Sequence, residues 1–136
     1  TREQNIRRSK ATSNICTNEA LLGVAVAAYL SVVGRSGLRK IAAKNLENMA
    51  SLSSRISRID GFKAPLFKAS HFNEFIVSSK AEPAKVHSHL LSNGVHGGHI
   101  LKAEFPELGN AALYATTEMH TKANHDKLIA ALEGVR

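Results

Sequence analysis

Between Ala20 and Val33 the chain is almost continuously apolar, built from Ala, Leu and Val with only Gly23, Tyr29 and Ser31 as relief. A segment apolar nearly all round predicts a helix buried on most sides. Thr17 stands at the N-cap position and Glu19 in the first turn, where a negative charge meets the positive end of the helix dipole. The helix is therefore expected over Asn18 to Val33, with Gly34 stopping it. From Gly37 the pattern changes. Leu38, Ile41, Ala42, Leu46, Met49, Leu52, Ile56 and Ile59 recur at steps of three and four, while Arg39, Lys40, Lys44, Glu47, Arg55 and Arg58 fall mainly off that stripe. This spacing predicts a second, amphipathic helix from about Gly37 to Ile59, ended by Asp60-Gly61.

Beyond Gly61 the period shortens. Phe62 to Phe67 is a strand candidate that Pro65 confines to an edge or an end, because proline has no N–H for a ladder. Phe72 to Ser78 is the stronger strand, centred on Phe75, Ile76 and Val77. Pro83 suits a first helical turn, Val86, Leu90 and Leu91 mark a short helix, and Asn93-Gly94 closes it. Val95 to Leu101 predicts a strand entry, Glu104 to Asn110 a loop, and Ala111 to Thr117 a buried strand. Thr121 caps a last helix whose apolar face is Leu128, Ile129 and Leu132. The order α-α-β-β-α-β-β-α predicts an α+β fold, with helices packed on a small, mainly antiparallel sheet.

Composition adds bounds. The 136 residues suffice for one domain with its own core, and 43% hydrophobic with 21% charged residues describes a folded chain. Cys16 is the single cysteine, so no internal disulfide forms and a reducing compartment is expected. The run from Ala20 to Val33 is shorter than the roughly 20 residues that span a bilayer. The first residue is Thr1, and the opening is basic and polar without an apolar signal region, so a piece of a longer protein is expected. Charge is uneven. Residues 1 to 58 hold 10 basic and 3 acidic residues and residues 59 to 136 hold 8 of each, so the net +7 resides in the first part. Such asymmetry suits an anionic partner, or a solvated face.

Chemistry-bearing residues are sparse. The seven histidines have no carboxylate or cysteine companions at zinc spacing, so no metal site is expected. His87 and His89 point in different directions on a helix, His96 and His99 flank Gly97-Gly98, and His120 and His125 lie around the last helix start. Cys16, between Ile15 and Thr17, suits a buried thiol better than a nucleophile. Gly94 to Gly98 matches neither dinucleotide nor phosphate-loop spacing; it reads as a turn whose glycines allow close backbone approach. The most specific local signal is the basic lead-in. Arg2, Arg7, Arg8 and Lys10 are interleaved with Gln4, Thr12, Ser13 and Asn14, a mixture of guanidinium forks and hydroxyls suited to phosphate or carboxylate. No aromatic residue accompanies them, which disfavours single-stranded nucleic acid. Composition and spacing lead this far, to an α+β domain with an anion-seeking leader.

The opening Thr1-Arg2-Glu3-Gln4-Asn5-Ile6-Arg7-Arg8-Ser9-Lys10-Ala11-Thr12-Ser13-Asn14-Ile15-Cys16-Thr17 resembles a signature of the glycine dehydrogenase (decarboxylating) family, the P-proteins of the glycine cleavage system. The family pattern carries His where Asn5 stands and an acid where Ser9 stands. The likeness continues through Gly34-Arg35-Ser36-Gly37-Leu38, Phe72-Asn73-Glu74-Phe75, His96-Gly97-Gly98, Pro106-Glu107-Leu108-Gly109-Asn110, Thr117-Glu118 and Thr121-Lys122, and is similar to the ending of subunit 1 in the two-subunit form.

The resemblance implies the smaller C-terminal domain of an aspartate aminotransferase-like, fold type I pyridoxal-phosphate enzyme. Residues 1–17 would be a lead-in from a large domain and residues 18–136 the small domain. It implies an enzyme that decarboxylates glycine and passes the aminomethyl group to the lipoyl arm of the H-protein. Pyridoxal phosphate serves there as the electron sink for the carbanion. The Schiff-base lysine belongs to the second subunit, so Lys10 is not that lysine and no residue of this chain is expected to be catalytic. The chain alone would be inactive and bind no cofactor. The native assembly would be a cytoplasmic heterotetramer, with neither nucleic acid nor membrane as partner. Arg7, Arg8, Thr12, Ser13 and Asn14 are the candidates for contact with the second subunit near its cofactor. A small basic module for nucleic acid or another anion, and a standalone enzyme, are the rival readings.

Overall fold

The computed structural model describes residues 19–135. The chain forms two compact units, residues 1–38 and residues 39–136. Helix α1 runs Ala20–Ile56 and is broken at Gly34, whose φ of 62° and ψ of 179° lie outside helical space. Glycine has no Cβ to oppose that left-handed φ, so the expected stop at Gly34 occurs as a kink between two helical runs.

In the first unit the described residues are one apolar helix, and here the expectation of burial is corrected. Leu21 is 82% exposed and Val32 is 87% exposed, with Val24, Val26 and Tyr29 more than half exposed. Burial needs a second surface, and no other element of this unit is among the described residues. An 18-residue window of α1 reaches a mean hydropathy of 1.6, so the helix is long and apolar enough to cross a membrane by length and composition alone. The apolar part before Gly34 is only about 21 Å long at 1.5 Å per residue, short of a hydrocarbon core of roughly 30 Å.

The second unit carries the core. Strands β1 (Phe62–Lys63), β2 (Glu74–Ser79), β3 (His99–Ile100) and β4 (Ala111–Ala115) make one sheet in the order β1-β2-β4-β3. All three pairings are antiparallel. In the central pair Phe75 faces Tyr114 and Val77 faces Ala112. Side chains alternate across a strand, so Phe75, Val77 and Tyr114 share one face, and all three are buried. Helices α2 (Pro83–Ser92) and α3 (Lys122–Glu133) meet that face together with the end of α1. Ile56, Leu90 and Leu132 are fully buried there, beside Met49, Leu52, Val86, Leu128 and Ile129. The α1 stripe is thus buried from Met49 onward, whereas Leu38 and Leu46 remain 40% and 44% exposed.

Local chemistry explains the boundaries. Pro83 opens α2, and the Glu82 carboxylate accepts the Ala84 N–H at 3.1 Å. Thr121 and Asn124 form a capping box on α3: the Thr121 hydroxyl accepts the Asn124 N–H at 3.3 Å and the Asn124 side-chain oxygen accepts the Thr121 N–H at 2.8 Å. Two expected strands are shorter than their apolar runs. After Lys63 the chain passes a cis Ala64–Pro65 bond, and only Leu66 returns to β2, donating its N–H to the Ile76 carbonyl at 2.8 Å. The run from Val95 pairs with β4 only from His99 onward, because Gly97 and Gly98 lead the chain away first. A Cβ at Gly98 would stand 2.6 Å from the Leu113 carbonyl oxygen, and its φ is +66°, so the close approach requires glycine. The expected loop over Glu104 to Asn110 contains one 3-10 turn, Pro106–Leu108.

Candidate functional site

The leader candidates Arg7, Arg8, Thr12, Ser13 and Asn14, with Lys10 and Cys16, lie outside the described residues. Polar chemistry in the second unit concentrates where α1, β4 and the start of α3 meet. Asn48, buried on α1, donates through its side-chain nitrogen to the Thr117 carbonyl at 2.8 Å and the His120 carbonyl at 3.1 Å. His120 Nδ1 accepts the Thr117 N–H at 2.9 Å. One buried amide and one imidazole therefore hold the turn that precedes the α3 cap. On the same side, Arg55 pairs with Asp126 at 2.7 Å. This pair is partly exposed and contributes little stability.

His125 is the unusual member. It is 6% exposed, and its Nε2 is buried without a hydrogen-bond partner. Burial lowers its pKa, and the charges of His120 and Arg55 push the same way. Both effects disfavour the charged ring, which lies 6.3 Å between centroids from His120. Tyr114 is also buried, and burial raises its pKa to about 12, so the phenol stays protonated. No hydrogen bond to its hydroxyl is present among the described residues.

These groups border a cleft of about 510 Å³ between the residue 95–99 loop, β4 and the start of α3. Its polar walls include His96, His99, His120, His125, Tyr114 and Thr116, and Leu52, Leu113 and Leu128 also line it. Among the described residues no Asp, Glu, Lys or Arg lines it. Strand β4 offers main-chain groups as well. Thr116 N–H goes to Asn73 and Ser79 N–H to Asn110, so every second residue of β4 bonds to β2. Ala115, opposite Glu74, falls on the other phase and directs its N–H and C=O away from β2. On that side β3 pairs only as far as His99 with Leu113. The edge at Ala115 is left open where it borders the cleft.

The histidine pairs suggested by spacing are rearranged by the fold. His96 packs edge-on against His87 at 5.0 Å, whereas His99 Nε2 meets Glu104 at 3.0 Å. Among the described residues no three of His, Cys, Asp and Glu come together as metal ligands. Spacing could not have found Asn48, whose partners lie 69 and 72 residues away. Every lysine among the described residues is exposed. A Schiff-base lysine needs a desolvated pocket, so these residues do not by themselves fit pyridoxal phosphate.

Comparison with known proteins places this architecture. A crystal structure described as glycine decarboxylase (P-protein) of the glycine cleavage system, in inhibitor-bound form, superposes with a TM-score of 0.81 at 34% identity, over 98% of this chain and 30% of that one. The fold is therefore one shared with that P-protein structure, of which this chain carries helices and a small antiparallel sheet of the fold type I class. The model of the glycine cleavage system P-protein family matches residues 1–132. Probable glycine dehydrogenase (decarboxylating) subunit 1 of Staphylothermus marinus is 46% identical over 99% of the chain and 29% of that relative. The protein of the same description from Moorella thermoacetica is 41% identical over 98% of the chain and 30% of its own length. The chain belongs to the glycine cleavage system P-protein family. It spans about three-tenths of the length of the curated relatives it matches.

Proposed function

We propose that this chain acts as part of subunit 1 of a glycine dehydrogenase (decarboxylating), completing an enzyme whose chemistry is carried by other parts of the assembly. The observation that carries this reading is the match over nearly the whole chain to relatives described as subunit 1, a description that implies a second subunit. In this reading residues 1–17 are a lead-in from a large domain and residues 18–136 the small domain. With its partner subunit it decarboxylates glycine and transfers the aminomethyl group to the lipoyl arm of the H-protein. The assembly is a cytoplasmic heterotetramer, and the isolated chain is inactive.

Pyridoxal phosphate would supply the electron sink of the whole enzyme, with its lysine on the second subunit. This chain's own contribution would be positional. Arg7, Arg8, Thr12, Ser13 and Asn14 would meet the second subunit near the cofactor, where guanidinium forks and hydroxyls can satisfy a phosphate or carboxylate.

The test is Arg7→Ala and Arg8→Ala in the full two-subunit enzyme. Loss of cofactor affinity or of subunit assembly, with a fall in turnover of about tenfold or more, is the expected result for a charge-assisted contact. Unchanged affinity, assembly and turnover would remove the leader from the site. Glycine-dependent CO2 exchange by the isolated chain would overturn the shared-enzyme reading itself.

A further inference from the structure

Two histidines at the turn between β4 and α3 are left unused by the proposed chemistry. His120 folds back on this turn, and its Nδ1 accepts the Thr117 N–H at 2.9 Å. A ring nitrogen accepts only while it carries no proton, so the closed turn requires a neutral ring protonated at Nε2. The turn is closed also by the His120 N–H, which donates to the Thr117 carbonyl at 3.1 Å. Asn48 ties the same two carbonyls, of Thr117 and His120, to α1.

His125 lies in the first turns of α3, 6% exposed, with its buried Nε2 unpartnered. Buried polar groups are ordinarily satisfied, so this exception calls for a cause. The groove on one side of it is lined by Lys44, Glu47 and Arg55 from α1 and by Lys122 and Asp126 from α3. On its other side the titratable groups among the described residues are His96, His99, His120 and Tyr114. Both carboxylates already engage a cation, Glu47 with Lys44 at 2.9 Å and Asp126 with Arg55 at 2.7 Å. A positive ring at either histidine therefore meets a second imidazole and nearby cations whose counter-ions are already engaged. We propose that the turn over residues 117–121 is an acid-released latch: a proton on His120 Nδ1 removes the acceptor of the Thr117 N–H, and the turn opens and loosens the start of α3. Opening lets water reach His125, and a proton taken up there, beside Arg55, opposes reclosure.

The experiment follows the ¹⁵N-labelled 136-residue chain by NMR from about pH 7.5 to about pH 5, which brackets the ordinary imidazole value of about 6.5. The His120 Nδ1 shift reports protonation of that ring. Amide exchange protection, corrected for the intrinsic rate at each pH, reports opening of the turn. As His120 takes up its proton, protection at the Thr117 and His125 amides is expected to fall roughly tenfold or more, the scale of one N–H left unpaired. The Lys80 and Leu101 amides, which bond across the sheet to Gly61 and Ala111, are expected to change by less than about twofold. His120→Asn keeps an acceptor oxygen for the Thr117 N–H and cannot titrate, so protection should stay level across the range. His120→Ala removes the acceptor at every pH and should lower Thr117 protection already at about pH 7.5. Unchanged protection at Thr117 while His120 titrates, or an equal loss at Lys80 and Leu101, would overturn the proposal in the unaltered chain, even if a variant fails to fold. A folded His120→Asn chain that keeps the original pH dependence would overturn it as well.

Discussion

The two ends of helix α1 are both apolar and have opposite fates. From Met49 to Ile56 the stripe faces β2, β4, α2 and α3, and Ile56 is fully buried. From Ala20 to Val33 the residues are as apolar, yet Leu21 and Val32 are more than four-fifths exposed. The difference lies in what each part meets. Apolar periodicity states that a surface leaves water; it does not state which surface it meets. The first stretch is a large exposed apolar patch of the kind that marks an interaction face. In the proposed assembly it would be covered by the remainder of the longer chain.

The sharpest break of this comparison is Ile56→Ala, which should cost about 2–5 kcal/mol in urea unfolding, because it opens a cavity in a packed cluster. A loss below about 0.5 kcal/mol would mean that the second region is not the core. Next is Asn48→Ala. It leaves the Thr117 and His120 carbonyls without their donor and should cost about 1–3 kcal/mol, read from the same denaturation midpoint; an unchanged midpoint would show that water replaces the amide.

A smaller effect tests the burial of His125. Its folded pKa lies below the ordinary 6.5, so as pH falls the unfolded chain takes up the proton first. Stability should therefore be insensitive to this group above its ordinary value and decline as pH drops below it. His125→Gln should flatten that slope, measured as thermal midpoint against pH, and an unaltered slope would place its origin elsewhere. Smallest is the paired change Val24→Ser and Val32→Ser in the exposed stretch. It should alter unfolding by no more than about 0.5 kcal/mol while reducing self-association in light scattering. A loss like that of Ile56→Ala would mean that this stretch is packed after all.

Much of the second unit was legible from one chain of residues. The short-range signals hold where they are local: Pro83 opens a helix, Asn93-Gly94 closes it, and Thr121 caps α3 through a capping box with Asn124. The stripe Leu128, Ile129 and Leu132 is buried as its spacing requires. Strand lengths were less legible. Val95 to Leu101 has the composition of a strand, but pairing depends on β4 and ends where Gly97-Gly98 turns away. The leader motif was legible as a family likeness, and the family match over residues 1–132 bears out that likeness. The roles of Arg7, Arg8, Thr12, Ser13 and Asn14 lie outside the described residues and rest on the mutational test.

By itself the sequence determined the order of elements, the positions of caps and breaks, and the family, because these depend on neighbours a few residues apart or on a contiguous motif. Only the tertiary structure decided that Asn48 binds a turn some seventy residues away, that His99 meets Glu104 while His96 meets His87, and that Tyr114 and His125 border one cleft. Those outcomes depend on strand register and helix packing, which bring together side chains whose separation along the chain carries no signal of their contact.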